Sequence, residues 1–230
     1  MNIGYLQKSS VIEYPGKICC IVFSIGCNFR CPYCHNPELV EPSLFPEQVP
    51  HDEIFSFLEK RKGKLDAVSI TGGEPTIHSG LISFMKEVKS LGFLVKLDTN
   101  GSRPSVVAEA LRQGLTDYIA MDIKGPPARY PEITGTACNP ADIEKTIRII
   151  MGSGLDYEFR TTMAGSLLTP QDLREMGTMI RGASRYVIQR FTASKHLDPA
   201  YKELGLKMGE GDIDEIKAHL AGLVGRLIVR

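Results

Sequence analysis

Along this chain short apolar runs alternate with longer stretches in which apolar residues recur every three or four positions. The runs at 18–24 (ICCIVFS), 66–70 (DAVSI), 93–99 (FLVKLDT), 117–123 (DYIAMDI), 157–162 (YEFRTT) and 186–191 (YVIQRF) are rich in β-branched and aromatic residues. They read as apolar on both faces, the pattern of parallel strands covered on two sides. Helical patterns lie between and after them. Residues 52–62 carry Ile54, Phe57 and Leu58 on one face behind a capping Asp52, and residues 79–91 carry Leu81, Ile82, Met85 and Val88 between Ser79 and a stop at Gly92. Segment 103–113 is shorter. In 139–151, Asn139 precedes Pro140 and Ile143, Ile147 and Ile150 line up. Segment 169–181 opens on the capping-box-like TPQD and stops at Gly182, and 212–223 places Ile213, Ile216, Leu220 and Leu223 together.

Six β-then-α units in series predict an α/β fold with a parallel sheet and right-handed crossovers. The units are too few for an eightfold barrel, so a partial (β/α)6 TIM-type barrel is expected, an open doubly wound sheet being the other arrangement. Either one places the chemistry at the C-terminal ends of the strands. No linker, repeat or low-complexity tract divides the 230 residues, and a single domain over 1–230 is expected.

Charge narrows the partners. The 27 basic and 27 acidic residues cancel, which gives no reason to expect nucleic acid or an anionic membrane. The N-terminal MNIGYLQKSS has no apolar h-region, and the longest apolar run, ICCIVFSIG, is far short of a membrane span. A cytoplasmic protein is expected, in which six cysteines stay reduced and clustered ones serve as metal ligands rather than disulfides.

The candidate chemistry follows the strand ends. After the first strand, GCNFRCPYCHNPE places Cys27, Cys31 and Cys34 in C-x3-C-x2-C spacing. Three thiolates on so short a loop suit three corners of a [4Fe–4S] cubane with one iron left open. A zinc site completed by Cys138 or by the Cys19–Cys20 pair is the alternative. After the second strand, TGGEP offers Gly72 and Gly73, which let a ligand approach the backbone and its N–H and C=O groups, with Glu74 beside them. A plain tight turn would use the same residues, and Pro75 stands where no helix has yet begun. The third strand ends in LDTNG with Asp98 and the fourth in MDIK with Asp122 and Lys124, which share a strand face. Carboxylates there suggest a ligand or ion, or a plain Asp–Lys pair on a solvated rim. Arg160, near the end of the fifth strand, could grip a carboxylate or sit on the surface.

CNFRCPYC, with Tyr33 before the last cysteine, resembles the signature of the radical S-adenosylmethionine (SAM) superfamily, and TGGEP resembles that superfamily's second motif. The start, SSVIEYPGKICCIVFSIGCNFRCPYCHNPEL, is similar to anaerobic ribonucleoside-triphosphate reductase activating proteins. CHNPE, LDTNG and MDIK resemble stretches of pyruvate formate-lyase activating enzymes. The resemblance implies one [4Fe–4S] cluster on Cys27, Cys31 and Cys34, with SAM on the open iron. It places Tyr33 and His35 beside the adenine, Gly72, Gly73 and Glu74 at the methionyl amino group, and Asp122 and Lys124 at ribose and carboxylate, with Arg160 a further contact. Asp98 and Thr99, with Asp122, match positions that help bind a monovalent cation next to SAM. The activity implied is hydrogen abstraction from a glycine of a partner enzyme, an anaerobic ribonucleotide reductase or similar glycyl-radical enzyme, with flavodoxin or ferredoxin as electron donor. An incomplete barrel would leave a side open to a peptide loop. No cysteine run between Cys34 and Cys138 provides for a second cluster. One departure stands out: Phe191 lies about where formate-lyase activases place a histidine, and His196 comes later. A radical SAM enzyme acting on a small molecule, such as a 7-carboxy-7-deazaguanine synthase-like rearrangement of a heterocycle, is the second reading. A non-enzymatic iron–sulfur or zinc protein is the third, which Glu74, Asp122 and Lys124 at successive strand ends disfavour.

Overall fold

A computed structural model describes residues 1–164, 167–191, 197–202 and 210–230. These group into two compact units, Met1–Asn28 with Asn36–Thr99 and Ser105–Ile119, and Phe29–His35 with Asn100–Pro104 and Ala120–Arg230.

In the first unit, β1 (Ile3–Ser10), β2 (Cys19–Ser24), β3 (Ala67–Gly72) and β4 (Leu94–Thr99) are neighbours in chain order, followed by the first residues of β5 (Tyr118–Asp122). β1 runs antiparallel to β2, whereas β2, β3 and β4 are parallel, with Cys20 beside Val68 and Val68 beside Val95. The period of two sends Val22, Ile70 and Leu97 to one side. There they pack with Ile54 and Leu58 of α1 (His51–Arg61) and with Phe84, Met85 and Val88 of α2 (Leu81–Ser90). Burying each such side chain contributes roughly 1.5–3 kcal/mol. The opposite face carries Ser69, Thr71, Lys96 and Asp98, so the polar residues of these strands gather on one side. α3 (Pro104–Arg112) adds Ala110 to the apolar cluster.

In the second unit the last residues of β5 are followed by β6 (Asp156–Met163), β7 (Tyr186–Arg190) and β8 (Leu227–Val229), all parallel, with Phe159 beside Tyr186 and Ile188 beside Val229. The Ile123 N–H donates to Arg160 O at 2.8 Å, extending the ladder past β5. The helices are α4 (Tyr130–Thr134), α5 (Pro140–Met151), α6 (Pro170–Met179) and α7 (Glu210–Ala221). Asn139 caps α5 by accepting from the Ala141 N–H, and Thr169 and Asp172 form a reciprocal capping box on α6, as the sequence predicts. Gly177 brings α6 against α7, since a Cβ there would stand 2.2 Å from Leu220.

The six predicted strands are present, and β1, β8 and α4 are additions. Two expected caps are not used. α1 begins after Pro50, with Asp52 inside its first turn, and α2 begins after Gly80; neither has a side-chain cap. His196 and its neighbours 192–196 lie outside the described residues. Among the described residues no helix is long and apolar enough to cross a membrane.

Candidate active site

The first unit holds the glycine motif. β2 and β3 end side by side at Ser24 and Gly72. From there the backbones stay clasped: the Gly73 N–H donates to Ser24 O (2.9 Å), the Glu74 N–H to Gly26 O (2.8 Å) and the Gly26 N–H to Leu39 O (2.7 Å). The glycines permit this approach. Gly72 has a φ of +113°, and a Cβ on Gly73 would lie 2.0 Å from Gly26 O. The Gly73 N–H, one of the glycine backbone groups expected to be open to a ligand, is therefore spent, like that of Glu74, on the backbone that leads into Cys27. Their function on that side is to fix the start of the cysteine loop.

Glu74 is 1% exposed and caps a 3-10 turn at Pro75–Ile77, so the helical turn begins sooner after the strand than the sequence suggests. Its Oε1 accepts from the Thr76 N–H (3.0 Å), Thr76 Oγ1 (2.5 Å) and Thr99 Oγ1 (2.8 Å). Three donors on one oxygen fix the direction of this buried carboxylate, which has about four acceptor directions in all.

Asp98 and Thr99 are the last two residues of β4. Asp98 accepts from Thr71 Oγ1 at 3.2 Å and from the ammonium of Lys96, two positions earlier on the same face. Lys96 is fully buried and also donates to Glu13 Oε1 at 2.6 Å. Lys96 and Glu13, joined to the Asp98 carboxylate, are residues that pattern reading does not single out.

The second unit holds most of the cysteine loop. Cys31 is buried, Cys34 half-buried, and the Cys34 N–H closes a turn onto Cys31 O at 3.0 Å. The loop is tied at both ends. The Arg30 N–H donates to Thr134 O, and those of Leu197 and Asp198 to Cys34 O and Pro32 O. Phe29 packs edge-on against Tyr130 at 6.2 Å, so α4, absent from the sequence prediction, is one wall of this loop. His35 stacks on Phe191 at 5.8 Å, which gives the residue in the departing stretch a place beside the loop.

Asp122, the last residue of β5, accepts from Lys124 Nζ at 3.0 Å and from Arg160 Nε at 2.9 Å. Arg160 lies within β6 rather than at its end and is mostly buried, which removes the surface-arginine reading. Burial works against the Asp122 carboxylate, but the charges of Arg160 and Lys124 outweigh it and hold this carboxyl well below its usual range. Burial likewise opposes the Lys124 ammonium, and Asp122 more than compensates, so Lys124 stays protonated. Burial pushes the Cys31 thiol up to about 11 against the opposing charge of Lys124, and raises the Tyr33 hydroxyl as well.

These residues fit the expected cofactors. None of the six cysteines is in a disulfide, and the three of the loop are soft donors whose protons a metal would displace. Glu74 supplies an anion for an ammonium group, and Lys124 and Arg160 supply cations for a carboxylate. Cys19 and Cys20 are fully buried in β2, and Cys138 lies 3.8 Å from Thr134 Oγ1. Among the described residues no three His, Cys, Asp or Glu side chains are gathered as around a single metal ion. A cubane takes each thiolate on a different iron.

The profile of the radical SAM superfamily matches residues 21–180. The chain belongs to this superfamily. A Methanocaldococcus jannaschii protein provisionally named as a glycyl-radical enzyme activating enzyme is 29% identical over 229 residues, covering 96% of this chain and 92% of that protein. A Staphylococcus aureus pyruvate formate-lyase-activating enzyme is 30% identical over 133 residues, 54% of this chain and 53% of its own. A Thermococcus kodakarensis 7-carboxy-7-deazaguanine synthase is 29% identical over 126 residues, 46% and 49%. Among solved structures, Streptococcus suis SuiB superposes with a TM-score of 0.67 at 16% identity, over 91% of this chain and 48% of SuiB. The matches thus span about half the length of the last three proteins. The fold of this radical SAM chain is the α/β partial barrel with mostly parallel strands that its pattern predicts.

Proposed function

We propose that this radical SAM protein activates a glycyl-radical enzyme. It would hold one [4Fe–4S] cluster on Cys27, Cys31 and Cys34 and take a hydrogen atom from a glycine of the partner. The observation that supports this reading is the coverage of the Methanocaldococcus jannaschii relative, which is matched over 92% of its length, whereas the deazaguanine synthase is matched over less than half. When bound, the reduced cluster supplies the electron that breaks the sulfonium C–S bond of SAM, giving methionine and a 5′-deoxyadenosyl radical that becomes 5′-deoxyadenosine on taking the glycine hydrogen.

The chain's own share is binding and orientation. Glu74, steadied by Thr76 and Thr99, meets the α-ammonium of SAM together with the Gly72 and Gly73 backbone. Lys124 and Arg160 meet its carboxylate, with Asp122 exchanging one hydrogen-bond partner for a ribose hydroxyl. Tyr33 and His35 flank the adenine. Within its own unit, Glu74 is held by Thr76 and Thr99, and Lys124 and Arg160 are held by Asp122, before SAM arrives. An anaerobic ribonucleoside-triphosphate reductase is the partner we favour, with a reduced flavodoxin or ferredoxin as donor and a cytoplasmic setting.

The test is electron paramagnetic resonance on the anaerobically reconstituted, reduced protein. A [4Fe–4S] signal that changes shape on adding SAM is expected. So is a glycyl doublet in an added anaerobic reductase, altered when its glycine carries deuterium at the α-carbon. A cluster indifferent to SAM would overturn the cofactor assignment. SAM cleavage that moves deuterium from a labelled heterocycle, with no glycyl doublet, would overturn the activase.

A further inference from the structure

The sequence resemblance assigns a monovalent cation to the neighbourhood of Asp98 and Asp122, yet the strand ends in this chain do not fit an added ion. Asp122 is already met by Lys124 and Arg160 in its own unit. Asp98 is met by Lys96. A lysine that is fully buried is uncommon, because an ammonium withdrawn from water costs several kcal/mol unless it is paired and hydrogen-bonded. Lys96 meets that condition with two carboxylates, Asp98 on its own strand face and Glu13 from the connection between β1 and β2, 83 residues away in sequence. The connection is itself held. The Glu13 N–H donates to Ser10 Oγ at 3.3 Å, and the ring of Tyr14 lies 5.5 Å from that of Tyr118. Asp98 in turn receives Thr71 Oγ1, so the charge of Lys96 is linked to the carboxylate one position before Thr99, which steadies Glu74.

We propose that the Lys96 ammonium is the resident cation of the Asp98 carboxylate. In this reading the protein supplies from its own chain the positive charge that the resemblance gives to an alkali metal ion. Lys96 is then a positioning residue. It holds the Asp98 carboxylate fixed, and through the end of β4 it fixes Thr99 against Glu74. The inference rests on the proposed SAM site, and two consequences follow from it. The native protein has no use for Na⁺ or K⁺ at this position. Removing the ammonium, as in Lys96→Met, leaves oxygen atoms of Asp98 and Glu13 and the hydroxyl of Ser69, which is the register partner of Lys96 and is buried with no hydrogen-bond partner. That is a hard-oxygen set of the kind that alkali and alkaline-earth ions accept.

The experiment compares SAM affinity and thermal stability in sodium, potassium and choline chloride at equal ionic strength. Affinity is measured by anaerobic titration of the cluster-loaded protein, and stability without SAM. The native protein should give the same Kd within about twofold, and the same Tm, in all three salts. Lys96→Met should lower Tm in choline by roughly 10 °C and weaken SAM about tenfold or more, with both recovering partly in sodium or potassium. A native protein that tightens about tenfold on moving from choline to an alkali ion would overturn the proposal. So would a Lys96→Met variant matching the native protein in choline. The native comparison decides the matter even if the variant does not fold. Cluster-loaded protein that binds no SAM in any salt would sink the proposed function instead, while the SAM-free melting curves would still judge the lysine.

Discussion

Replacing Gly73 by alanine tests the clasp that leads into the cysteine loop. The new Cβ would stand 2.0 Å from Gly26 O and 2.6 Å from Gly26 C, against 3.4 Å for an ordinary contact, so one of the two backbones must move by about 1.4 Å (3.4 − 2.0). A movement of that size breaks the Glu74 N–H to Gly26 O bond and strains the Gly26 N–H to Leu39 O bond, now 2.8 and 2.7 Å. Two buried backbone bonds left poorly made cost about 1–3 kcal/mol each, or roughly 2–6 kcal/mol in all. For a chain of this size that is a fall in Tm of about 10 °C. Gly211→Ala is the matched control. It lies in the first turn of α7 with no atom within 4 Å of the added methyl, so the same change there should be neutral or stabilise by a few tenths of a kcal/mol. Urea unfolding of the metal-free proteins measures both. Because Gly26 is the neighbour of Cys27, Gly73→Ala should also reduce the iron bound per chain after reconstitution. A Gly73→Ala protein within about 1 kcal/mol of native, with full iron, would refute the argument that this contact fixes the loop.

Glu74→Gln should cost only about 1–2 kcal/mol of stability, because an amide oxygen can still accept from Thr76 and Thr99, yet weaken SAM about tenfold or more by removing the charge that faces the α-ammonium; equal affinity in an anaerobic titration would leave Glu74 as a turn cap alone. Asp122 has its carboxyl held below the ordinary 3.8, so the stability it contributes is complete above about pH 4 and is lost as the pH falls below that. Asp122→Asn should therefore flatten the acid limb of a Tm-against-pH curve and lower the plateau, and an unchanged acid limb would contradict the pairing with Arg160 and Lys124. Burial raises Cys19 to about 11 and Cys20 to about 12 from an ordinary 9.0, so their contribution is complete below about pH 9 and lost as the pH climbs toward those values. Cys20→Val should make Tm less sensitive to pH between about 9 and 11, and calorimetry showing no difference from native would contradict it.

The elements that were legible in the sequence are those whose residues state their own environment. Strands buried on both faces announce themselves as unbroken apolar runs, and β2 to β7 are found within a residue or two of the predicted bounds. β1 is a one-sided edge strand whose second half, Gln7, Lys8 and Ser9, faces solvent, so its composition is that of a loop. β8 is three residues long and offers no period to read. Caps behave similarly. Asn139 and Thr169 are each followed by a proline, which fixes the position of the first turn, whereas Asp52 and Ser79 were polar residues near a start that Pro50 and Gly80 had already set.

The site divides along the same line. Motif spacing and strand-end position single out Glu74, Asp98, Asp122 and Lys124 because those properties are local to the chain. What a charge is paired with is not local. Lys96 reads as an ordinary lysine within a strand until the register of β4 turns it inward beside Asp98 and the folded β1–β2 connection delivers Glu13. Its burial then changes the meaning of its neighbours. With Lys96 beside it, Asp98 becomes half of an ion pair, and Asp122, with Lys124 and Arg160, becomes the anion of a three-charge cluster. Two carboxylates that appear to ask for a cation when read along the chain are answered, in three dimensions, by the chain's own side chains. The resemblance carries over residues that are similar in kind, and a buried lysine beside Asp98 alters the electrostatics there without altering the motif.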